Sequence, residues 1–184
     1  MTTNEPAAPK IDTTEVRKAS FWISQLCIIL ATIIGVYLAA NQGFKQALAY
    51  GNIQIDRNNY HLRESLRDEI TRNIANTRDY LKVIAKGGVA NRRAPLQLDT
   101  YVWDAMKFSP STLEVPAELL NANMNFMRTM NDLQAKIASG DTPVETATKR
   151  IEELLATLET DTIPKFDANI KAIKTRLDKQ GVEP

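Results

Sequence analysis

The sequence has little of the chemistry that metal centres and nucleophilic catalysis require. Its 184 residues include one histidine and one cysteine. A single cysteine excludes an intrachain disulfide framework and any zinc or iron–sulfur site built from several cysteines. No glycine-rich phosphate loop and no nucleophile motif occurs either. We therefore predict no catalytic residue, no metal site and no cofactor, and we expect that the protein is not an enzyme.

The chain also lacks an excess of charge of either sign. It has 23 Lys and Arg residues against 22 Asp and Glu residues, which gives a net charge of +1. A nucleic-acid-binding protein needs a clear cationic excess to neutralise phosphates, so we predict no nucleic-acid partner. The mean hydropathy of −0.29 is typical of a soluble protein. This average conceals one long apolar run.

Residues 21–40 form that run and carry no charged side chain. Twenty helical residues span about 30 Å, the thickness of the hydrocarbon core of a bilayer. Trp22 and Tyr37 lie near its two ends, where amphipathic rings favour the membrane interface. The sequence predicts a single transmembrane helix over residues 21–40, preceded by a disordered polar tail over residues 1–20.

Two other interpretations of residues 21–40 are a cleaved signal peptide and a buried helix of a soluble protein. A signal peptide has a shorter apolar stretch, and a wholly uncharged run of twenty residues is rare in soluble helices. Lys10, Arg17 and Lys18 precede the run, whereas Lys45 and Arg57 follow it. This small excess favours a cytoplasmic N-terminus in a bacterial inner membrane with a periplasmic C-terminal domain, and a cytoplasmic domain is the alternative.

Small residues recur at every fourth position of this region. The series consists of Cys27, Ala31, Gly35, Ala39, Gly43, Ala47 and Gly51. Small residues at this spacing allow two helix backbones to approach closely within a bilayer. We predict a helix-packing face formed by Ala31, Gly35, Ala39, Gly43 and Ala47, with chance recurrence as the alternative. Beside the lipid bilayer, the predicted partner is an integral membrane protein complex or a second copy of the chain.

Residues 41–184 show helical periodicity and no strand alternation. The first helix is predicted to continue to about Ala85, where Gly87 and Gly88 end it, and to expose charged residues such as Arg63 on its solvent face. A loop is predicted over residues 87–97 and a short helix over residues 98–108, capped by Asp99 or Thr100.

The remaining sequence contains further helix start and stop signals. Pro116 marks a helix start, Gly140 marks its end, and residues 142–145 form a capping box that begins the last helix. Pro164 should kink or split that helix near Asp161. Residues 56–93 carry a charge of +4 and residues 94–184 a charge of −4, so the two parts should attract weakly. The predicted fold class is all-α, with a transmembrane helix that continues into a small antiparallel helical bundle.

Arg92, Arg93 and Trp103 are the candidate residues for contact with a partner, because arginine and aromatic side chains are enriched at protein interfaces. Burial of Trp103 in the core is the alternative. The sequence as a whole favours a single-pass structural or accessory subunit that assembles with a membrane complex or with itself. A helical sensor or ligand-binding domain that signals through a partner is the other hypothesis.

Overall fold

The computed structural model describes residues 19–184, so nearly all of the predicted tail at residues 1–20 lies outside the described residues. The described part of the chain contains helices and no strand, which confirms the all-α prediction for it. The chain divides into two compact units, one ending at Tyr50 and the other beginning at Gly51.

The first helix, α1 (Ala19–Ile84), is 66 residues long. Its N-terminal part contains an 18-residue window with a mean hydropathy of 2.2, none of which is buried. By length and composition, α1 is therefore long and apolar enough to cross a membrane. It ends one residue before the predicted end, and Gly87 and Gly88 follow with φ angles of 72° and 86°, which favour glycine.

The buried face of α1 within the second unit follows alternating steps of four and three residues. Glu69 and Ile74 are also buried beside this register, and the residues that follow the spacing are Asn59, Arg63, Leu66, Ile70, Asn73, Thr77, Tyr80 and Ile84. Half of these are Asn, Arg or Thr residues, so this face mixes apolar and polar side chains. The expectation that Arg63 faces solvent is wrong, because only 6% of this residue is exposed.

The segment between α1 and the next long helix contains short elements. They are α2 (Gly88–Arg92), α3 (Tyr101–Met106) and a 3-10 turn (Pro110–Glu114). The loop predicted over residues 87–97 therefore contains a short helix, and the helix predicted over residues 98–108 is shorter than expected. Neither candidate cap acts as predicted. The side chain of Thr100 makes no capping hydrogen bond to α3, and Asp99 lies outside the first turn of α3.

The C-terminal half consists of α4 (Ala117–Ser139), α5 (Val144–Thr157), a π turn (Leu158–Thr162) and α6 (Ile163–Lys179). Gly140 ends α4 with a φ of 85°, as predicted. The start of α5 is also as predicted, but no side chain caps it, so the capping-box bonds do not form. The π turn ends two residues before Pro164 and includes Asp161, where the sequence predicts a kink or split, but the chain stays helical through it, so the last helix is not split.

Ion pairs give the direction of the last helices relative to α1. In the second unit, Arg67 pairs with Asp167 at 3.1 Å and Arg78 pairs with Glu159 at 2.7 Å. As the residue number rises along α1, it falls along the partner segment. The segment from α5 to α6 therefore runs opposite to α1.

Hydrogen bonds give the direction of α4 in the same way. Arg63 donates to the carbonyl oxygen of Glu114, just before α4, and the Nδ2 atom of Asn73 lies 4.0 Å from the Sδ atom of Met127. Residue numbers rise together along the two segments, so α4 runs in the same direction as α1. Leu66, Ile70, Phe126, Met130 and Phe166 share one buried apolar cluster between these helices.

Candidate functional site

The small-residue face of α1 is exposed in the first unit. Ala31, Gly35 and Ala39 are all solvent-accessible. A Cβ atom added at Gly35 or at Gly43 would meet no atom within 4 Å. Among residues 19–184, no side chain covers Gly35 or Gly43 on this face.

Helix geometry limits how much of the series one partner can contact. Side chains four residues apart in an α-helix are separated by about 400° around the axis, which is about 40° more than one full turn. Ala31, Gly35 and Ala39 therefore lie within about 80° of one another, whereas the full series from Cys27 to Gly51 turns through about 240°. A straight partner helix can pack against three or four consecutive members, and the centre of such a contact lies at Gly35.

Polar side chains share the face centred on Gly35. Ser24, Gln42 and Gln46 project within about 20° of Gly35 around the helix axis. The opposite side carries large apolar side chains, namely Leu30, Tyr37, Phe44 and Leu48. The face centred on Gly35 thus combines small and polar residues with one large apolar residue, Ile28, whereas the opposite face carries large apolar residues.

The three predicted partner-contact residues lie in different surroundings. Arg92 lines a cleft of about 730 Å³ together with Lys149 and Glu152, and Arg93 is exposed directly after α2. Trp103 is half-buried and packs against the core cluster. Their shared role in partner contact stays a prediction.

Glu69 is a buried carboxylate that the sequence did not single out. Its residue is 1% exposed, and its two oxygens accept hydrogen bonds from the backbone N–H groups of Val102 at 2.6 Å and Trp103 at 3.0 Å. Burial raises the pKa of Glu69, and the two N–H donors oppose this shift. A side chain of α1 thus caps α3 in place of the local caps that were predicted.

Asn73 binds the chain just before α3. Its Nδ2 atom donates to the carbonyl oxygen of Asp99 at 2.8 Å, and its Oδ1 atom accepts from the N–H group of Asp99 at 2.7 Å. The amide therefore satisfies both backbone groups of one residue, although Asn73 is fully buried. Arg72 adds an exposed ion pair to the Asp99 carboxylate at 3.0 Å.

Arg63 joins three segments of the second unit. It donates from Nη1 to the Oδ1 atom of Asn169 in α6 at 2.6 Å and from Nη2 to the carbonyl oxygen of Glu114. Burial lowers the pKa of Arg63. The guanidinium group therefore links the side-chain amide of Asn169 to the backbone carbonyl group of Glu114, and neither of these partners is charged.

Three large apolar side chains near α3 are almost fully exposed. Tyr101, Phe108 and Leu113 are 85%, 89% and 92% exposed. Exposed aromatic and aliphatic side chains that lie close in the chain are typical of contact surfaces. The aromatic residues of this segment that are open to a partner are therefore Tyr101 and Phe108, whereas Trp103 packs inward.

The alternating steps of four and three residues are the signal that could have found Arg63 and Asn73. Both fall in register with Leu66 and Ile70, and a polar residue in such a register is buried with a partner. Glu69 lies outside that register, so its burial can be recognised only from the three-dimensional structure.

Comparisons with known protein families, with curated proteins and with solved structures find no match for this chain. Within residues 19–184, no group of three His, Cys, Asp or Glu side chains is arranged to hold a metal ion.

Proposed function

We propose that this protein is a single-pass, membrane-anchored accessory or assembly subunit, which acts by helix packing with a membrane protein complex or with itself. The observation that carries the proposal is the exposed, uncharged N-terminal part of α1. Trp22, Ile33 and Val36 are 61%, 58% and 64% exposed. Exposure of so many apolar side chains to water is unfavourable, and a bilayer removes that cost.

The two faces of the first unit suggest how it would sit among its neighbours. In a bilayer, large apolar side chains are well placed against lipid, whereas small and polar side chains pack against other helices. The face centred on Gly35 would therefore contact protein, and the face with Leu30 and Tyr37 would contact lipid. Ala31, Gly35 and Ala39 form the central part of the proposed contact.

The second unit is proposed to be a three-helix bundle. α1 and α4 share one direction and the segment from α5 to α6 runs opposite to them, so the arrangement is mixed rather than fully antiparallel. The ion pairs Arg67–Asp167 and Arg78–Glu159 each join a basic residue of the positively charged part, residues 56–93, to an acidic residue of the negatively charged part, residues 94–184.

The proposed location is a bacterial inner membrane with the second unit in the periplasm. The support is the excess of basic residues before residue 21, and a cytoplasmic second unit is the alternative. Single cysteine residues introduced at positions 15 and 60, in a Cys27→Ala background, test this with a membrane-impermeant thiol reagent. Labelling only at position 60 in intact cells would support the proposal, and labelling only at position 15 would contradict it.

Copurification in a mild detergent tests the assembly role. The full chain should elute with defined additional chains or as an oligomer, and a monodisperse monomer would count against the proposal. A Gly35→Ile variant should lose this association because the larger side chain keeps two backbones apart. An Ala40→Ile variant is the matched control, because position 40 lies about 140° from Gly35 around the axis. Unchanged assembly of the Gly35→Ile variant would contradict the proposed face.

The mass of the protein isolated from membranes separates an anchor from a signal peptide. Retention of residues 21–40 in the mature chain is the expected result. A mature chain that begins after Ala40 would contradict the anchor, whatever the second unit does.

A sensor or ligand-binding role is the second candidate function, and the cleft lined by Arg92 and Lys149 favours it. A panel of small zwitterionic molecules would provide a direct test, because the side chains of Arg92 and Lys149 line this cleft together with the carboxylates of Glu145 and Glu152. An increase in the melting temperature of the full chain that an Arg92→Ala variant does not show would support this role.

A further inference from the structure

Residues 94–116 form a segment, here called the strap, that connects α2 to α4 within the second unit. The strap lies along α1, because Asp99 contacts Asn73, Val102 contacts Glu69, and the carbonyl oxygen of Glu114 contacts Arg63. At all three points a buried side chain of α1 binds the backbone of the strap. Polar contacts thus join the strap to α1 at three points along this helix.

Glu69 is central to this attachment because α3 has no other side-chain cap. α3 has six residues, and a helix this short has little stability of its own. Its first N–H groups need an acceptor, and Glu69 supplies both of its oxygens to Val102 and Trp103. The carboxylate is 1% exposed, so water does not compete for these bonds in the closed arrangement.

Apolar burial contributes less to the strap than to the long helices. Met106 and Val115 are its only fully buried apolar side chains, and four others are only partly buried against the core, namely Leu96, Leu98, Val102 and Trp103. Tyr101, Phe108 and the neighbouring Leu113 point into solvent. Segments with few buried apolar contacts open at lower free energy than the core around them.

We propose that the strap opens and closes as a unit of its own while α1, α4, α5 and α6 stay packed, and that Glu69 is the latch that holds it closed. Asn73 and Arg63 are the two further tethers, one on each side of the latch along α1. All three tethers belong to α1, so their release frees the strap from this helix. The strap would then move and change how Tyr101 and Phe108 are presented. This device depends on the second unit alone and goes beyond the proposed anchoring role.

Hydrogen exchange of the full chain in detergent, followed residue by residue or by peptide, tests the latch. In a Glu69→Gln variant, one N–H group of α3 faces the amide Nε2 donor and loses its acceptor. The amides of residues 101–106 should then exchange roughly 10-fold to 100-fold faster, in line with the loss of one charge-assisted hydrogen bond. Amides in α4 and α5 should keep their protection. A Glu64→Gln variant, which changes an exposed carboxyl group on the same helix, should leave the strap unchanged.

Two outcomes of this experiment would overturn the proposal. One is an equal loss of protection in the strap and in α4, which would mean that Glu69 supports the whole fold. The other is an unchanged strap in the Glu69→Gln variant.

The wild-type chain provides a second test if the variant does not fold. In low concentrations of urea, the strap amides should share one opening free energy that lies below that of the buried amides around Phe126 in α4. Exchange of both groups through a single common opening would contradict an independent strap.

Discussion

Arg63 of α1 and Asn169 of α6 are joined by a hydrogen bond of 2.6 Å from Nη1 to Oδ1, in a position where the arginine is almost completely buried. The second terminal nitrogen binds the carbonyl oxygen of Glu114. A buried cation is costly to desolvate, so its hydrogen bonds must compensate. Arg63 therefore fixes the register of α1, α6 and the end of the strap at one point.

Arg63→Met should destabilise the second unit by about 1–3 kcal/mol, because Asn169 and the Glu114 carbonyl group lose their donor. A second change, Asn169→Leu, should recover part of the loss, which a double-mutant cycle on urea unfolding measures. Arg67→Met is the control, since its ion pair with Asp167 is exposed and should contribute at most about 1 kcal/mol. Equal losses in Arg63→Met and Arg67→Met would contradict the bridging role.

Asp56 and Arg176 predict a pH dependence of stability. Arg176 donates two hydrogen bonds to the carboxylate at 2.7 and 3.1 Å and thereby lowers the pKa of Asp56, against the opposing effect of burial. A lowered pKa in the folded state means that the ion pair stabilises the fold above the ordinary pKa of Asp. That stabilisation is lost as the pH falls through the folded value.

Asp56→Asn should therefore reduce the free energy of unfolding by about 1 kcal/mol at pH 7, and the difference from the wild type should shrink as the pH falls below the ordinary pKa of Asp. Asp79→Asn is the matched control, because Asp79 pairs with Lys82 on the surface, with its side chain 73% exposed. Urea unfolding at several pH values measures both variants. A difference for Asp56→Asn that is the same at every pH would exclude the ion pair as its source.

Asn123 of α4 predicts a substitution that stabilises the protein. The residue is 1% exposed, and neither its Oδ1 nor its Nδ2 atom has a hydrogen-bond partner among the described residues. An unpaired buried amide is unfavourable, and an apolar side chain of similar size avoids this cost. Asn123→Leu should raise the free energy of unfolding by about 1–2 kcal/mol. Asn121→Leu, on the exposed side of α4, should leave it unchanged, and a gain of equal size there would point to helix propensity instead.

The ends of the helices could be read from the sequence because they depend on local chemistry. Gly140 adopts a positive φ that suits glycine, and Pro164 cannot donate the hydrogen bond of a regular helix. Both signals act within one turn of the chain. The short helix α2 gave no such signal, because five residues that begin with Gly88 carry too little periodicity.

The polar tethers could not be read in the same way. Glu69 acts on Val102 and Trp103, which lie 33 and 34 residues further along the chain. Nothing near Glu69 distinguishes it from the exposed acidic residues of α1. From its charge, Arg63 is predicted to face solvent, although its spacing from Leu66 and Ile70 is that of a core residue. The error came from giving residue type more weight than register.

The π turn at residues 158–162 accommodates one extra residue in the last helix. From Ile151 to Phe166, both fully buried, the chain advances fifteen residues, whereas four turns of a regular α-helix take about 14.4. A π turn inserts a residue without rotating the helix that follows. Pro164 favours this position because it offers no N–H group to the carbonyl oxygen of Thr160.

Removal of Thr160 together with Pro164→Ala should therefore convert the segment into a regular helix with Ile151 and Phe166 still on the buried face. We expect the free energy of unfolding to change by no more than about 1 kcal/mol, since the exposed Thr160 contributes no core contact. Removal of the exposed Lys171 is the control. It turns Ile173 and Leu177 by about 100° away from the core and should cost at least about 3 kcal/mol. Thermal unfolding followed by circular dichroism compares the two deletions, and equal losses would show that the π turn does not maintain the register.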